Sequence, residues 1–153
     1  MVKIVAIALL STLFLGTTAL AADPVDGTWK LNVAKSKFSG TAPKSGTRVY
    51  SEGTDGTTLD AKTVGSDGKE MSMHVTLTYD GKPHPITGNP DADSGTGKAI
   101  DARTSHFTLT KSGKVAGSVD RVVSADGKTL TVHNKGTGSD GKTYDDTLVY
   151  DKQ

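Results

Sequence analysis

"KEMSMHVTLTYDGK", residues 69–82, alternates between apolar and polar side chains along most of its length. The apolar set is Met71, Met73, Val75, Leu77 and Tyr79. A period of two predicts a β-strand with one buried face and one solvated face. The stretch ends in Asp-Gly-Lys, and glycine after aspartate supplies the positive φ that a tight hairpin turn requires. These residues therefore predict a strand followed by an antiparallel hairpin.

The same turn signal recurs along the chain, since Asp-Gly begins at positions 26, 55, 67, 80, 126 and 140. No segment shows the 3.6-residue periodicity of an amphipathic helix. The predicted strands lie near 26–33, 47–53, 57–65, 69–79, 84–87, 98–101, 104–111, 114–124, 128–136 and 142–151. We therefore predict an all-β domain, an antiparallel up-and-down β-barrel of about 8–10 strands that can enclose one small ligand. An open two-sheet β-sandwich is the alternative.

The first residues have the pattern of a secretory signal peptide. Lys3 precedes an apolar run over 4–16, and Ala19-Leu20-Ala21 has the small-x-small form that signal peptidase cleaves. This pattern predicts a signal peptide over 1–21, cleavage after Ala21, a single domain over 22–153 and a periplasmic or extracellular location. The run is short for a membrane span, so we expect no membrane insertion after cleavage, with an uncleaved anchor as the alternative.

Composition narrows the class of partner. The chain has 18 Lys and Arg against 17 Asp and Glu, a formal net charge of +1, and therefore lacks the basic excess that predicts a nucleic-acid partner. It has no cysteine, which predicts a domain stabilised by packing without disulfides. Hydrophobic residues make up only 34% of the chain and aromatic residues 5%, so we expect an interior partly filled by something other than large side chains.

Three motifs resemble those of small secreted bacterial lipocalin-like proteins of unassigned function. They are "GTWKLNVAKSKF" at 27–38, "YDGKPHPITGNPDAD" at 79–93 and "RVVSADGKTLTV" at 121–132. Gly27-Thr28-Trp29 also resembles the Gly-x-Trp start of the lipocalin and fatty-acid-binding (calycin) barrels. The resemblance implies a calycin-type barrel over the mature chain. The Gly-, Pro- and Ser-rich link at 34–46 predicts no helical lid of the fatty-acid-binding kind.

The resemblance also directs attention to Trp29 and Arg121. In calycin barrels the motif tryptophan packs across the barrel base, often under an arginine from a late strand, and Arg121 matches that arginine by position. Its parity with Val115, Val119 and Val123 predicts that it faces inward. One interpretation is a cation–π stack of Arg121 on Trp29 that closes the barrel floor. The other is that Arg121 binds a ligand carboxylate bidentately, as the resemblance to fatty-acid-binding barrels implies.

Motifs typical of catalysis or metal binding are incomplete. "GTGSDG" at 136–141 has the spacing of a dinucleotide fingerprint, but the following residues predict a strand, which favours a hairpin. Asn89, Asp91 and Asp93 alternate as calcium ligands do, but other residues stand where a calcium-binding loop requires Gly and Glu. This favours the interpretation that their side chains cap turns. The four histidines lack metal-binding spacing and are predicted to be solvated. We therefore expect no enzyme, no metal and no cofactor.

Two functional hypotheses follow. The first is a secreted binding protein that holds a small apolar or carboxylate-bearing molecule inside the barrel, with segment 79–97 forming a rim and ligand gate at one mouth. The expected ligand-binding residues are Trp29, Met71, Met73, Leu77, Tyr79, Phe107, Arg121 and Tyr150. The second hypothesis is a non-catalytic structural or interaction protein of the cell envelope with a solid barrel core.

Overall fold

The computed structural model describes residues 23–153, and the predicted signal peptide lies outside the described residues. The strands are β1 (Gly27–Leu31), β2 (Ser45–Gly53), β3 (Gly56–Val64), β4 (Glu70–Leu77), β5 (Pro83–Pro85), β6 (Ser94–Asp101), β7 (Thr104–Lys111), β8 (Lys114–Val123), β9 (Thr129–Thr137) and β10 (Thr143–Lys152). The prediction of an all-β chain is confirmed, and each predicted strand overlaps an observed one. One 3₁₀ turn, Val33–Lys35, follows β1. Within residues 23–153 no helix has the length and apolar character needed to cross a membrane.

The ten strands form one continuous antiparallel sheet that curls into a nearly closed barrel. Their spatial order is β4-β3-β2-β1-β10-β9-β8-β7-β6-β5, so β1 and β10 are paired and the first and last strands meet. The edge strands β4 and β5 form no ladder, and a single bridge joins His74 of β4 to Thr87, just after β5. One sheet with this order is a barrel, and the two-sheet sandwich alternative is wrong.

The Asp-Gly-Lys repeats form the predicted tight turns. In each, the aspartate side chain accepts a hydrogen bond from the backbone N–H of the lysine two residues later. The aspartates are Asp67, Asp80, Asp126 and Asp140, and the distances are 3.0–3.1 Å. The glycine of each repeat has a positive φ, between 68° and 84°. The turn after β4 differs from the others because the strands on either side of it, β4 and β5, diverge and form no hairpin ladder.

The barrel has one packed end and one open end. The packed end holds a buried cluster from the start of β1, the end of β2 and the end of β10, among other strands. Its members are Val25, Trp29, Leu31, Tyr50, Leu59, Val75, Val123, Leu130, Val132 and Tyr150. The links 32–44, 65–69, 86–93 and 138–142 lie at the opposite end, where the strands leave room for a cavity.

Candidate ligand cavity

A cavity of about 1010 Å³ occupies the open half of the barrel. This volume is at the upper end of the range usual for small-molecule sites, about 300–1,000 Å³. Of the residues expected to bind a ligand, six line the cavity, namely Met71, Met73, Leu77, Phe107, Arg121 and Tyr150. Met71 stands near the mouth with 54% of its surface exposed, whereas Trp29 and Tyr79 are not among the lining residues of the described chain.

Arg48 is a charged residue of the cavity that was not expected from the sequence. It lies on β2 between the inward positions Gly46 and Tyr50, and it pairs in register with Trp29 of β1. Its Nε donates to the Tyr150 hydroxyl at 3.0 Å, and its Nη1 donates to the Tyr50 hydroxyl at 3.1 Å. Its guanidinium also lies 5.1 Å from the Tyr150 ring centroid. The alternation of β2 could have shown that Arg48 faces inward, since it shares a parity with Tyr50.

The charge of Arg48 is held by hydroxyl groups. Burial opposes the charged form, but the Tyr150 and Tyr50 oxygens more than offset it, so that the pKa of Arg48 is raised. No ion pair joins Arg48 to a carboxylate within residues 23–153. Arg48 is also only half-buried and lines the cavity, so its guanidinium remains available to a second acceptor. An acidic group entering the cavity would meet a fixed positive charge there.

Arg121 lies in an aromatic cage. Its guanidinium is 5.2 Å from the Tyr50 ring centroid and 6.0 Å from those of Tyr79 and Phe107, and its Nη2 donates to the Tyr79 hydroxyl. Arg121 is only 6% exposed, and its Nε and Nη1 are buried without a hydrogen-bond partner in the described chain. Burial raises the pKa of Tyr79 although the neighbouring Arg121 charge opposes the shift. The inward orientation predicted for Arg121 is therefore found, with aromatic faces around it.

Trp29 has a structural environment that differs from the predicted one. The cation over its ring is Lys152, 5.0 Å from the centroid, and the predicted stack of Arg121 on Trp29 is wrong. The reason is the register, because Trp29 and Lys152 are directly opposed on β1 and β10, whereas Arg121 lies two strands further along the sheet. Trp29 is fully buried, and its Nε1 donates to the Val25 carbonyl at 2.6 Å. It stabilises the packed end.

Asp26 lies near the same end of the barrel in an unfavourable environment for a carboxylate. Its Oδ1 is buried and has no hydrogen-bond partner within residues 23–153. Burial raises the pKa of Asp26, and repulsion from Asp23 and Glu52 adds to the shift, while Lys152 and Arg121 oppose it. The charged form of Asp26 therefore costs stability in the folded state.

The segment that begins at Thr87 crosses from the edge of β4 to the β9–β10 hairpin. Gly88, Asn89, Pro90 and Asp91 line the mouth of the cavity. Asn89 caps the Asp91 N–H at 2.9 Å, and Asp91 in turn accepts a hydrogen bond from the Ser139 N–H at 2.8 Å. These side chains therefore cap backbone groups, as the turn-capping interpretation predicted, and part of segment 79–97 forms the predicted rim.

The four histidines are engaged on the outer surface. Each contacts one aspartate at 2.6–2.9 Å, in the pairs His74–Asp60, His84–Asp80, His106–Asp120 and His133–Asp145. All four retain partial exposure, as the prediction of solvated histidines requires. In the part of the chain that the structure describes, no group of three or more His, Cys, Asp or Glu residues could hold a metal ion.

The segment at 136–141 forms the β9–β10 turn, with a φ of +78° at Gly141, as the hairpin interpretation predicted.

Comparisons with known proteins give one structural similarity. No protein-family model matches the chain, and no curated protein matches it. Among solved structures, the chain is similar to zebrafish ileal bile acid-binding protein complexed with cholic acid, at 10% sequence identity and a TM-score of 0.46. The match covers 85% of this chain and 99% of that chain.

Proposed function

We propose that this chain is a non-catalytic binding protein that holds one small, partly apolar molecule with an acidic group inside its barrel. The observation that carries the proposal is Arg48, a half-buried guanidinium that faces a cavity with both apolar and polar lining. Met, Leu, Val, Phe and Tyr side chains form its apolar part, and Ser, Thr, Asn and Asp residues, many of them from the links at the open end, form the rest. A charge in such surroundings binds an acidic group strongly, since little water competes for it.

The two ends of the cavity fit the two parts of an amphipathic molecule. Arg48 and the hydroxyls of Tyr50 and Tyr150 form the polar patch at the inner end. Met73 of β4 lies level with Arg48 in the register, and Met71 lies one step nearer the mouth, so the two methionines offer an apolar wall there. Methionine adapts to ligands of different shape. Leu77 lines the cavity deeper, toward the packed end. The acidic group would bind at the polar patch and the apolar part would extend toward Met71 at the mouth.

The proposal includes a location in the periplasm or outside the cell, which rests on the signal-peptide pattern of residues 1–21. A structural protein with a solid barrel core is less consistent with a cavity of about 1010 Å³. Native mass spectrometry of protein secreted by its own route tests both functions. A mass surplus of a few hundred daltons that is lost on denaturation supports the binding function.

A titration with two fluorescent probes tests the role of Arg48. The probes are the anionic 1-anilinonaphthalene-8-sulfonate (ANS) and the neutral dye Nile red. We expect Arg48→Gln to weaken ANS binding roughly tenfold and to leave Nile red binding unchanged, because one charge-assisted contact is lost while the apolar wall remains. Arg103→Gln, which removes a positive charge from the exposed β6–β7 turn, is the control. Equal effects of both variants on ANS would contradict the assignment.

A further inference from the structure

The barrel wall has one weak joint, between β4 and β5. Every other pair of neighbouring strands is held by a ladder of at least three residue pairs. The β4–β5 joint instead has one bridge, between His74 of β4 and Thr87, two residues past the end of β5. The two backbone hydrogen bonds of this bridge are 3.3 Å long, beyond the usual value of about 2.9–3.0 Å. The Thr87 hydroxyl adds a third hydrogen bond, to the His74 carbonyl at 3.0 Å.

The sequence prevents the joint from becoming a ladder. Alternate residues of an extended chain direct their backbone groups to the same side, so Pro83 and Pro85 share a side with Thr87. Thr87 faces β4, while Ile86 donates its N–H to Asp93 on the opposite side. Proline has no N–H, so β5 presents β4 with two positions that cannot donate a hydrogen bond. Thr87 is therefore the first residue that can bridge the two strands.

The joint separates two voids. The interior cavity lies on one side, and a groove of about 500 Å³ lies on the other, along the outward side chains of β2, β3 and β4. Ala61, Ser72, Met73 and Gly88 line both voids. At this position the backbone bridge between His74 and Thr87 is all that separates the two voids, and both residues border the outer groove.

The segment 87–91 is anchored at its two ends and packed closely at its start. We call it the strap. At Gly88, which has a φ of +78°, a Cβ would lie 2.2 Å from the Ser72 carbonyl oxygen, so the strap backbone rests directly on β4. The far end is held by the hydrogen bond from the Ser139 N–H to Asp91. Releasing the Thr87 end would open the joint and leave the far anchor and the packed end of the barrel in place.

We propose that the strap is the gate of the cavity, and that the ligand enters and leaves at the part of the mouth that the strap crosses, where release of Thr87 from β4 widens the opening. This inference rests on the proposed function. Opening requires the loss of the three hydrogen bonds between Thr87 and His74, whereas opening at any other joint would break a ladder. The gate controls the rates of binding and release, and the closed state sets the affinity.

A reversible cross-link tests the gate, because the chain has no cysteine of its own. We would replace His74 and Thr87 by cysteine, since directly opposed residues have Cα atoms close enough for a disulfide. The control is Thr58→Cys with Thr76→Cys, an opposed pair in the unbroken β3–β4 ladder. Stopped-flow fluorescence with ANS would give the association and dissociation rates of each protein, oxidised and reduced.

We expect oxidation of the 74–87 pair to slow both rates at least tenfold, with reduction restoring them, and oxidation of the control pair to change neither. Unchanged rates in the oxidised 74–87 protein would overturn the gate and leave the proposed function intact. Absence of ANS binding by the unmodified protein would overturn the proposed function, and the gate with it.

A second variant avoids the cross-link. Thr87→Val keeps the shape of the side chain and removes its hydrogen bond to the His74 carbonyl. We expect both rates to rise about fivefold, the effect of one ordinary hydrogen bond, with little change in affinity. Thr76→Val on β4 is the control. Equal association and dissociation rates for the two variants would contradict the role of the strap as the gate.

Discussion

The guanidinium of Arg121 lies over the ring of Tyr50, 5.2 Å from the ring centroid, and the hydroxyl of the same tyrosine accepts a hydrogen bond from Arg48. Tyr50 therefore separates two interior positive charges and gives them different surroundings. Arg121 is caged by rings and 6% exposed, whereas Arg48 is half-buried at the cavity. For the proposed function, this difference is the reason we assign the acidic group of the ligand to Arg48.

The first prediction compares these two arginines. Arg121→Met should weaken ANS binding by less than threefold, against roughly tenfold for Arg48→Gln, because the guanidinium nitrogens Nε and Nη1 of Arg121 are enclosed. Fluorescence titration at fixed ionic strength measures both values. A loss for Arg121→Met as large as that for Arg48→Gln would instead support the carboxylate-binding role considered for Arg121.

The second prediction concerns Trp29. Trp29→Phe should lower the free energy of unfolding by about 1–3 kcal/mol, because the buried Val25 carbonyl loses its donor and the ring loses volume. ANS affinity should stay the same, since Trp29 is not among the cavity residues. Urea denaturation and probe titration measure the two effects. Phe107→Leu, at the cavity wall, is the comparison and should change the affinity.

The third prediction uses the raised pKa of Asp26. Below the pKa of the unfolded state, about 3.9, the group is neutral in both states and imposes no penalty. As the pH rises through the higher pKa of the folded state, the charged form develops in the fold and stability is lost. Asp26→Asn should therefore raise the melting temperature at pH 7 and leave it unchanged near pH 3. Asp55→Asn, on an exposed turn, is the control.

The fourth prediction concerns Asp126, whose pKa is shifted in the opposite direction to that of Asp26. Hydrogen bonds from the Ser124 hydroxyl and the Lys128 N–H lower the pKa of Asp126. The stability from this turn is therefore present above the unfolded pKa, about 3.9, and is lost as the pH falls through the lower folded value. Asp126→Ala should lower the melting temperature at pH 7 and have no effect near pH 2. An equal effect at both pH values would contradict a role for the charge.

Local chemistry made much of the fold predictable. The Asp-Gly-Lys turns depend on a side chain, a backbone N–H and a glycine within three residues, so residues near Asp126 suffice to specify them. Strand alternation is equally local, and it placed Met73 and Leu77 on the cavity side of β4. It also contained the signal for Arg48, which shares its parity with Tyr50.

Contacts across the barrel could not be predicted in the same way. Which cation covers Trp29 depends on the register of β1 against β10, and that register places Lys152 there. The enclosure of Arg121 likewise depends on rings that are distant along the chain, from β2, from β7 and from Tyr79 just after β4.

The amino-acid pattern alone therefore specified the strands, the turns and the inward faces, because each depends on neighbours along the chain. The closure of the sheet, the cavity and the thin joint at Thr87 were decided by the tertiary structure, because they depend on which distant backbone groups meet. Pro83 and Pro85 depend on both. The sequence alone shows that these residues have no backbone N–H, but the missing donors weaken the joint only because β4 lies opposite them in the folded barrel.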